Sequence, residues 1–190
     1  ACRSRNPGAI LMGQYFDELK RSMDYLGEQP DTMFLGQAVE YAGTAMTNTL
    51  KDVSRDKLLE MPVDEEMQMG ITIGLAVAGT VPITIYPRWN FLLLTANQLV
   101  NHLDRFPIFS HGEYAPKVII RTGIGSERPL HPQAQHVGDF TDAFRLILKN
   151  IEIIRLEEPE EIFDAYHKAY HRTDGKNTLL VEYGDFYGEK

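Results

Sequence analysis

The sequence contains a single cysteine, Cys2, in 190 residues, which excludes an internal disulfide. Such scarcity is typical of proteins from a reducing compartment. Positive charge is also scarce, because 19 lysines and arginines stand against 27 acidic residues and leave a net charge of −8. Nucleic acids and anionic membranes attract basic surfaces, so we expect neither as a partner.

Long apolar runs are missing as well. No stretch reaches the roughly 18 residues of a membrane-spanning helix, and the N-terminus lacks the apolar centre of a signal peptide. We therefore expect a cytoplasmic protein. Residues 1–13 carry arginine, proline and glycine without periodicity, which predicts an irregular leader. The remaining length, residues 14–190, and a hydrophobic content of 43% suit a single domain.

Short apolar runs alternate with helical patterns along the chain. Apolar residues between Tyr15 and Leu26 recur at helical spacing and predict an amphipathic helix. Later runs indicate buried strands at residues 33–35, 81–86, 117–121, 151–156 and 178–183. Strands that alternate with helices form parallel sheets, and continuous apolarity indicates that both faces are covered. We expect an α/β fold, a doubly wound and mainly parallel sheet of about six strands with helices on both faces.

An acidic segment marks the start of a helix expected between residues 62 and 79. Asp64 suits the cap position, and Glu65 and Glu66 in the first turn would complement the positive end of the helix dipole. That structural role accounts for the composition by itself. Gly70 and Gly74, however, cost roughly 1 kcal/mol each in a helix, which suggests a backbone packed closely against something. A carboxyl buried at such a helix start could also donate a hydrogen bond to a ligand.

Several longer motifs follow one another in a fixed order: MPVDE at 61–65, GTVPI at 79–83, YPRWNF at 86–91, ANQLVN at 96–101, SHG at 110–112, VIIR at 118–121 and AQH at 134–136. With Gly70, Gly74 and Gly123, this series resembles the beta subunits of 2-oxo acid dehydrogenases, which include the pyruvate, branched-chain and acetoin dehydrogenases. The likeness covers most of the chain from about Phe34 onward. It implies the pyrimidine-binding domain of those subunits, which is related to the middle domain of transketolase.

The resemblance implies a thiamine diphosphate site. In the family, the glutamate that matches Glu65 hydrogen-bonds the N1′ nitrogen of the cofactor's aminopyrimidine and promotes its imino form. Glu66 is the neighbouring candidate, but the spacing to the glycines favours Glu65. Phe91 matches the aromatic residue that packs on the pyrimidine, and Val63 and Pro87 match positions that line its pocket. Without the family, Phe91 would be interpreted as an ordinary core residue.

A histidine after the longest irregular segment matches another position of the family's site. The family's counterpart of His136 faces the substrate side of the cofactor, where an imidazole could stabilise charge or move a proton. The alternative is that His136 caps a helix that begins near Val137. Gln98 and Asn101 are expected to support the loop and the contact between chains.

Thiamine diphosphate enzymes also need a diphosphate-binding domain, in which a Gly-Asp-Gly motif holds Mg²⁺. Gly184, Asp185 and Phe186 resemble that motif only superficially, and we expect neither this domain nor the family's C-terminal domain in the chain. The resemblance therefore implies a partner, a diphosphate-binding alpha-type subunit that holds Mg²⁺ and shares the cofactor, in a homo- or hetero-oligomer. A partner would cover exposed apolar residues such as Trp89.

Two functions remain open at this stage. The first is an enzyme subunit that acts on a 2-oxo acid, by decarboxylation, or on a ketose, as transketolase does. The second is a non-catalytic interaction module that retains the fold. Glu65 favours the enzyme, whereas Gln37 stands where the family has glutamate and puts that part of the pocket in doubt.

Other chemical signals are weak. His167 and His171 have a metal-compatible spacing, but no third ligand is evident and a solvated helix end explains them. Ser110, Ser126 and Cys2 lack the sequence context of a nucleophile.

Overall fold

The structure, a computed structural model, describes residues 7–37, 39–41, 44–125, 127 and 132–188, with side chains from residue 13 onward. Cys2 and Ser126 lie outside the described residues. The first helix, α1, spans Pro7–Glu28, so the expected irregular leader is wrong for residues 7–13, and its first six residues lie outside the described ranges. Pro7 explains the earlier start, because its fixed φ and missing N–H suit the first helical position.

Six parallel strands form one sheet in the order β2-β1-β3-β4-β6-β5. The strands are β1 (Thr32–Gly36), β2 (Leu58–Glu60), β3 (Val81–Tyr86), β4 (Ile119–Ile124), β5 (Ile151–Arg155) and β6 (Asn177–Tyr183). The segment that forms the short strand β2 was expected as a buried strand or an extended segment before the helix at residue 62, and the other five strands were predicted from apolar runs. The predicted α/β class and parallel sheet are confirmed.

Helices connect the strands. They are α2 (Ala45–Asn48), α3 (Glu65–Val77), α4 (Trp89–Leu92), α5 (Phe106–Phe109), α6 (Thr141–Ile147) and α7 (Pro159–His171), with a π-helix at Gln98–Leu103 and 3₁₀ turns at Arg55–Lys57, Leu93–Thr95, Gln133–Gln135 and Gly184–Tyr187. The helix expected after residue 62 is thus α3. A helix near Val137 was also expected, but α6 begins at Thr141, so His136 does not cap it.

Two apolar cores cover the two faces of the sheet. One contains α1 and α7 side chains together with Ile119 and Leu180, and the other contains α3, α4 and π-helix side chains together with Ile120 and Leu179. Neighbouring strand residues point to opposite faces, so these adjacent pairs divide between the cores. This arrangement fixes the register of the strands that support the site, because a slip of one residue would exchange the two faces.

Trp89 belongs to the second core and is 0% exposed. Its ring lies 5.1 Å from that of Phe144, and its Nε1 donates to Thr141 Oγ1 at 3.3 Å. The expectation that Trp89 is exposed for a partner is therefore wrong. A large aromatic ring whose N–H finds an internal acceptor is stable in a core, and this one joins α4 to α6.

Candidate functional site

The candidate site lies where the order of the strands reverses. From β1 the chain moves outward to β2 on one side, whereas from β3 it moves to β4 on the other side. In open parallel sheets, ligands bind beyond the carboxyl ends of the strands at such a switch point. Gln37 follows β1, Glu65 follows β2 and Pro87 follows β3, so the topology brings these residues to one edge.

Gly36 allows the two central strands to approach closely at this point. Its φ is 155°, and a Cβ at this position would collide with the carbonyl oxygen of Ile85 on β3. Only glycine fits such a contact without a shift of the backbone. Gly36 thereby sets the position of Gln37, the next residue.

Glu65 is the first residue of α3 and is only 5% exposed. Asp64 caps the helix, since its side chain accepts a hydrogen bond from Met67 N at 2.9 Å. Gln37 Nε2 donates to Glu65 Oε1 at 3.0 Å. This contact was not predicted, and it places the residue that departs from the family pattern directly on the candidate catalytic carboxyl.

Helix α3 is fixed to β3 by polar contacts beneath Glu65. Gln68 Nε2 donates to Thr84 Oγ1 and to Ile85 O, both at 3.0 Å. Tyr86 OH donates to the main-chain oxygen of Glu65 at 3.5 Å. Burial raises the pKa of Tyr86, and the negative charge of Glu65 adds to that effect. Tyr86 thus stays a neutral donor and connects Glu65 to Pro87, the next residue in the chain.

Glu66 has a different environment from Glu65. It is exposed, and it accepts hydrogen bonds from Asn97 Nδ2 at 2.8 Å and from Gln98 Nε2 at 3.4 Å. Asn101 in turn donates to Asn97 Oδ1 at 3.0 Å. These contacts tie α3 to the π-helix, which agrees with a supporting role for Gln98 and Asn101. The structure therefore separates the two glutamates, one buried at the switch point and one on the surface.

Phe91 and His136 are in direct contact. Their ring centroids lie 5.1 Å apart at an interplanar angle of 43°, and both side chains are half-buried. The Nδ1 atom of His136 is buried and has no hydrogen-bond partner among the described residues. An unpaired polar atom in a buried position is costly unless a ligand or water satisfies it. This pair is the second part of the candidate site.

Val63 and Pro87 complete the set of expected residues. Val63 is 82% exposed, so the described part of this chain does not enclose it. Pro87 is half-buried, and its carbonyl oxygen lies 3.2 Å from the position that a Cβ on Gly123 would take. The glycine in β4 therefore permits the close passage of the segment between Tyr86 and Phe91.

The remaining sequence signals have structural explanations. The rings of His167 and His171 are in contact with centroids 4.3 Å apart, and Tyr25 OH lies 2.7 Å from His171 Nε2. Asp185 accepts a hydrogen bond from Glu127 N at 2.9 Å. Within the described ranges, no cluster of three or more histidine, cysteine or acidic residues could hold a metal ion. No helix in those ranges combines the length and apolarity needed to cross a bilayer.

Known proteins resemble this chain in sequence and in fold. The pyruvate dehydrogenase E1 component subunit beta of Gracilaria tenuistipitata var. liui is 28% identical over 148 residues, which cover 76% of this chain and 45% of that protein. The 3-methyl-2-oxobutanoate dehydrogenase subunit beta of Mycobacterium tuberculosis H37Rv is 27% identical over 139 residues, or 70% of this chain and 37% of that protein. No family model matches the chain.

The solved structure of a split-gene transketolase, described as an inactive beta4 tetramer, has the same fold. It superposes with a TM-score of 0.69 and 15% identity, covering 88% of this chain and 50% of that one. The chain is an α/β domain of the transketolase-like type. Its sequence is similar to the beta subunits of pyruvate and branched-chain 2-oxo acid dehydrogenases, which confirms the predicted resemblance. The chain spans less than half the length of these curated relatives.

Proposed function

We propose that this chain is the pyrimidine-binding part of a thiamine diphosphate-dependent enzyme that acts on a 2-oxo acid or a ketose and is completed by a partner chain. The observation that carries the proposal is the state of Glu65. A carboxylate can accept roughly four hydrogen bonds. Among the described residues, the Glu65 carboxyl has one side-chain donor, Gln37. This buried group at the switch point retains capacity for a ligand.

The residues at the site fit an aminopyrimidine. Glu65 offers a buried carboxyl that can hydrogen-bond a ring nitrogen, and Phe91 offers a flat apolar surface on which a heterocycle can stack. Val63 and Pro87 would line the ring, with the exposed Val63 side chain covered only when ligand and partner are present. Thiamine diphosphate supplies the electron sink for cleavage of a carbon–carbon bond next to a carbonyl.

His136 is proposed to act on the substrate side of the same site. Its ring contacts Phe91, and its buried Nδ1 atom has no partner in the described structure. An imidazole in this position can donate a hydrogen bond to a developing negative charge or transfer a proton near neutral pH. Glu65 and His136 would therefore act on different parts of the bound molecules.

The exposed face of α3 supports a partner chain. Met67 and Ile71 on this face are exposed, and a Cβ built on Gly70 or Gly74 would meet no described atom within 4 Å beyond the helix's own backbone. The close packing that these glycines suggest is therefore not provided by the described part of this chain. We propose that a diphosphate-binding, alpha-type subunit packs here and brings the Mg²⁺ that holds the diphosphate. A homo- or hetero-oligomer follows from this arrangement.

The finer assignments stay predictions. The relatives named above act as dehydrogenase subunits and the structural neighbour is a transketolase, so both a 2-oxo acid and a ketose are proposed substrates. The cytoplasmic location also stays a prediction. The alternative function is that of a non-catalytic interaction module that retains the fold, and the following experiment distinguishes it from the enzyme subunit.

The test compares Glu65→Gln with Glu66→Gln. The chain would be co-expressed with the adjacent reading frame, if that encodes a Gly-Asp-Gly domain, and Mg²⁺-dependent binding of thiamine diphosphate would be measured by calorimetry. Both substitutions remove one carboxylate from the same helix turn, but only Glu65 is buried at the switch point. Turnover of pyruvate, branched-chain 2-oxo acids and ketoses would then be assayed.

We expect Glu65→Gln to reduce turnover by about 100-fold or more, since it removes the group that contacts the ring nitrogen. Glu66→Gln should stay within about threefold of the wild type, because an exposed pairing contributes little. If Glu66→Gln alone abolishes turnover, the assignment moves to Glu66. If a stable pair of chains binds no cofactor, the interaction module takes the place of the enzyme.

A further inference from the structure

Arg88 lies between Pro87 and the helix that carries Phe91. Its side chain contacts the main chain at two positions that are distant in the sequence, Gly125 and His136. Its guanidinium Nη1 donates to the carbonyl oxygen of Gly125, directly after β4, and to that of His136 at 2.9 Å. One side chain therefore contacts the main chain both directly after β4, at Gly125, and directly after the 3₁₀ turn Gln133–Gln135, at His136.

The backbone of Arg88 also starts the Phe91 helix. Arg88 is the N-cap residue of α4 in an extended conformation, and its carbonyl oxygen accepts hydrogen bonds from Phe91 N at 3.0 Å and Leu92 N at 3.2 Å. Its main chain thus orients Phe91 while its side chain orients the main chain of His136. These are the two rings whose centroids lie 5.1 Å apart.

Neighbouring contacts support the same arrangement. Asn90 Oδ1 accepts from Gly138 N at 3.3 Å, and Asp185 Oδ1 accepts from Glu127 N at 2.9 Å. Burial lowers the pKa of Arg88, and the Asp185 carboxylate opposes that effect. The guanidinium is therefore partly withdrawn from water beside an acid, where hydrogen bonds from a charged donor to carbonyls are strong.

We propose that Arg88 is a positioning residue that holds the His136 ring against Phe91 by fixing the His136 carbonyl. Arg88 acts through His136, and its importance for turnover rests on the function proposed above. Lysine cannot replace it fully, because the three N–H donors of an ammonium rotate at the end of a flexible stem, whereas the planar guanidinium directs its donors in fixed directions. The wrong placement of a catalytic group by about 1 Å can cost up to about 100-fold in rate.

The first test needs no cofactor. The full chain has six histidines, and the Hε1 proton of each gives one NMR signal, of which that of His136 is identified by its loss in His136→Gln. The ring current of Phe91, whose centroid lies 5.1 Å from that of His136, should displace this signal in the wild type. We expect Arg88→Met to return most of that displacement toward the value of an exposed histidine, and Arg88→Lys to return part of it.

The matched control is Arg145→Met. Arg145 Nη2 also donates to a main-chain oxygen, that of Ile153 at 3.3 Å, but Arg145 contacts neither Gly125 nor His136 in the described structure. The Arg145→Met substitution should therefore leave the His136 signal unchanged. An unchanged His136 signal in Arg88→Met would overturn the proposal. If Arg88→Met does not fold, Arg88→Lys decides the question, and an unmoved signal in that variant overturns it as well.

The second test is a double-mutant cycle in the assembled enzyme. Arg88→Met should lower kcat by about 10- to 100-fold in the wild type, but by no more than about twofold when His136 is already glutamine, because coupled residues are not additive. Equal losses in both backgrounds would mean that Arg88 does not act through His136. If the assembly binds no thiamine diphosphate, the proposed function fails, while the NMR signal still decides whether Arg88 positions His136.

Discussion

Glu182 and Glu65 are both buried, at 0% and 5% exposure, but their surroundings differ in kind. Arg121 donates to Glu182 twice, from Nε to Oε1 at 2.5 Å and from Nη2 to Oε2 at 3.0 Å, and the hydroxyls of Tyr166 and Tyr187 donate one bond each. Glu182 thus has four donors. Among the described residues, the Glu65 side chain has one donor, Gln37.

The difference separates a structural acid from a candidate functional one. Four donors fill the roughly four acceptor sites of a carboxylate, so Glu182 has no capacity left for a ligand. Burial raises the pKa of Tyr166 and of Tyr187, and the charge of Glu182 adds to both shifts. Both tyrosines therefore remain donors. Glu65, with the same side chain, is buried at the edge where ligands bind and is only partly satisfied.

The largest expected effect comes from Glu182→Gln. It leaves the fully buried Arg121 without a countercharge, and breaking a buried ion pair in this way costs about 3–5 kcal/mol of unfolding free energy. Urea-induced unfolding of the isolated chain measures this loss. A loss below about 1 kcal/mol would show that Glu182 is no more essential to the fold than an exposed acid.

A double replacement sharpens this result. Arg121→Met combined with Glu182→Leu removes both charges and replaces them with large apolar side chains. Such replacements of buried ion pairs are often neutral or stabilising, so the double variant should be more stable than Glu182→Gln. Tyr166 and Tyr187 would lose their acceptor in this variant, which should leave it below the wild type.

The next effect is that of Tyr187→Phe, which removes one donor and keeps the ring. A hydrogen bond to a charged group contributes about 1.5–3 kcal/mol, and urea unfolding should show a loss of this size. Tyr183→Phe is the control, because the Tyr183 hydroxyl donates to Glu157 at an exposed position, at 3.2 Å. Equal losses in the two variants would contradict the special role of the Glu182 cluster.

Glu65→Gln should have a much smaller effect on stability. The substitution removes a charge from the first turn of α3, where the interaction with the helix dipole contributes about 0.3–1 kcal/mol, and it leaves no countercharge buried. Urea unfolding should therefore give a loss of at most about 1 kcal/mol, despite the same chemical change as in Glu182→Gln. A loss comparable to that of Glu182→Gln would mean that Glu65 is mainly structural.

The sequence predicted the strands better than the contacts between them. Apolar runs such as residues 118–120 and 179–181 indicate buried strands because both faces need apolar side chains. Arg121 and Glu182 directly follow these runs inside β4 and β6, and opposite charges within two buried strands are a signal that they pair. The pairing itself spans 61 residues and depends on β4 and β6 being neighbours, which no local pattern specifies.

The candidate site shows the same limit. The sequence indicated Glu65 as a candidate site residue because the helix start, the glycines and the motif around it are all local features. Its contact with Gln37 joins the ends of two different strands across 28 positions, which no local feature indicates. Trp89 was misjudged because an aromatic residue beside polar ones gives no local sign of the Thr141 acceptor that satisfies its N–H. Arg88 was missed for a related reason, since its partners Gly125 and His136 lie beyond the next strand.

Asp174 extends the comparison to an exposed acid and gives the smallest expected effect. Arg172 donates to both carboxylate oxygens of Asp174, from Nε at 2.8 Å and from Nη2 at 2.9 Å. The hydrogen bonds from Arg172 hold the pKa of Asp174 well below its usual value. The Asp174 side chain is 54% exposed, so solvent screens the pair, and Asp174→Asn should cost at most about 1 kcal/mol at pH 7.

The pH dependence of this small loss has a definite sign. Because the folded pKa of Asp174 is depressed, its contribution to stability is fully present above the unfolded pKa, about 3.9, and is lost as the pH falls toward the folded value. The free energies of unfolding of the wild type and of Asp174→Asn should therefore begin to converge below about pH 5 and continue to converge as the pH falls through about 3 toward the depressed folded pKa. Asp142→Asn, at a side chain that is 74% exposed and pairs with Arg145 and Arg155, should show a smaller difference at pH 7. A difference between the wild type and Asp174→Asn that stays constant down to about pH 2 would mean that the bidentate pair does not stabilise the fold through the charge of Asp174.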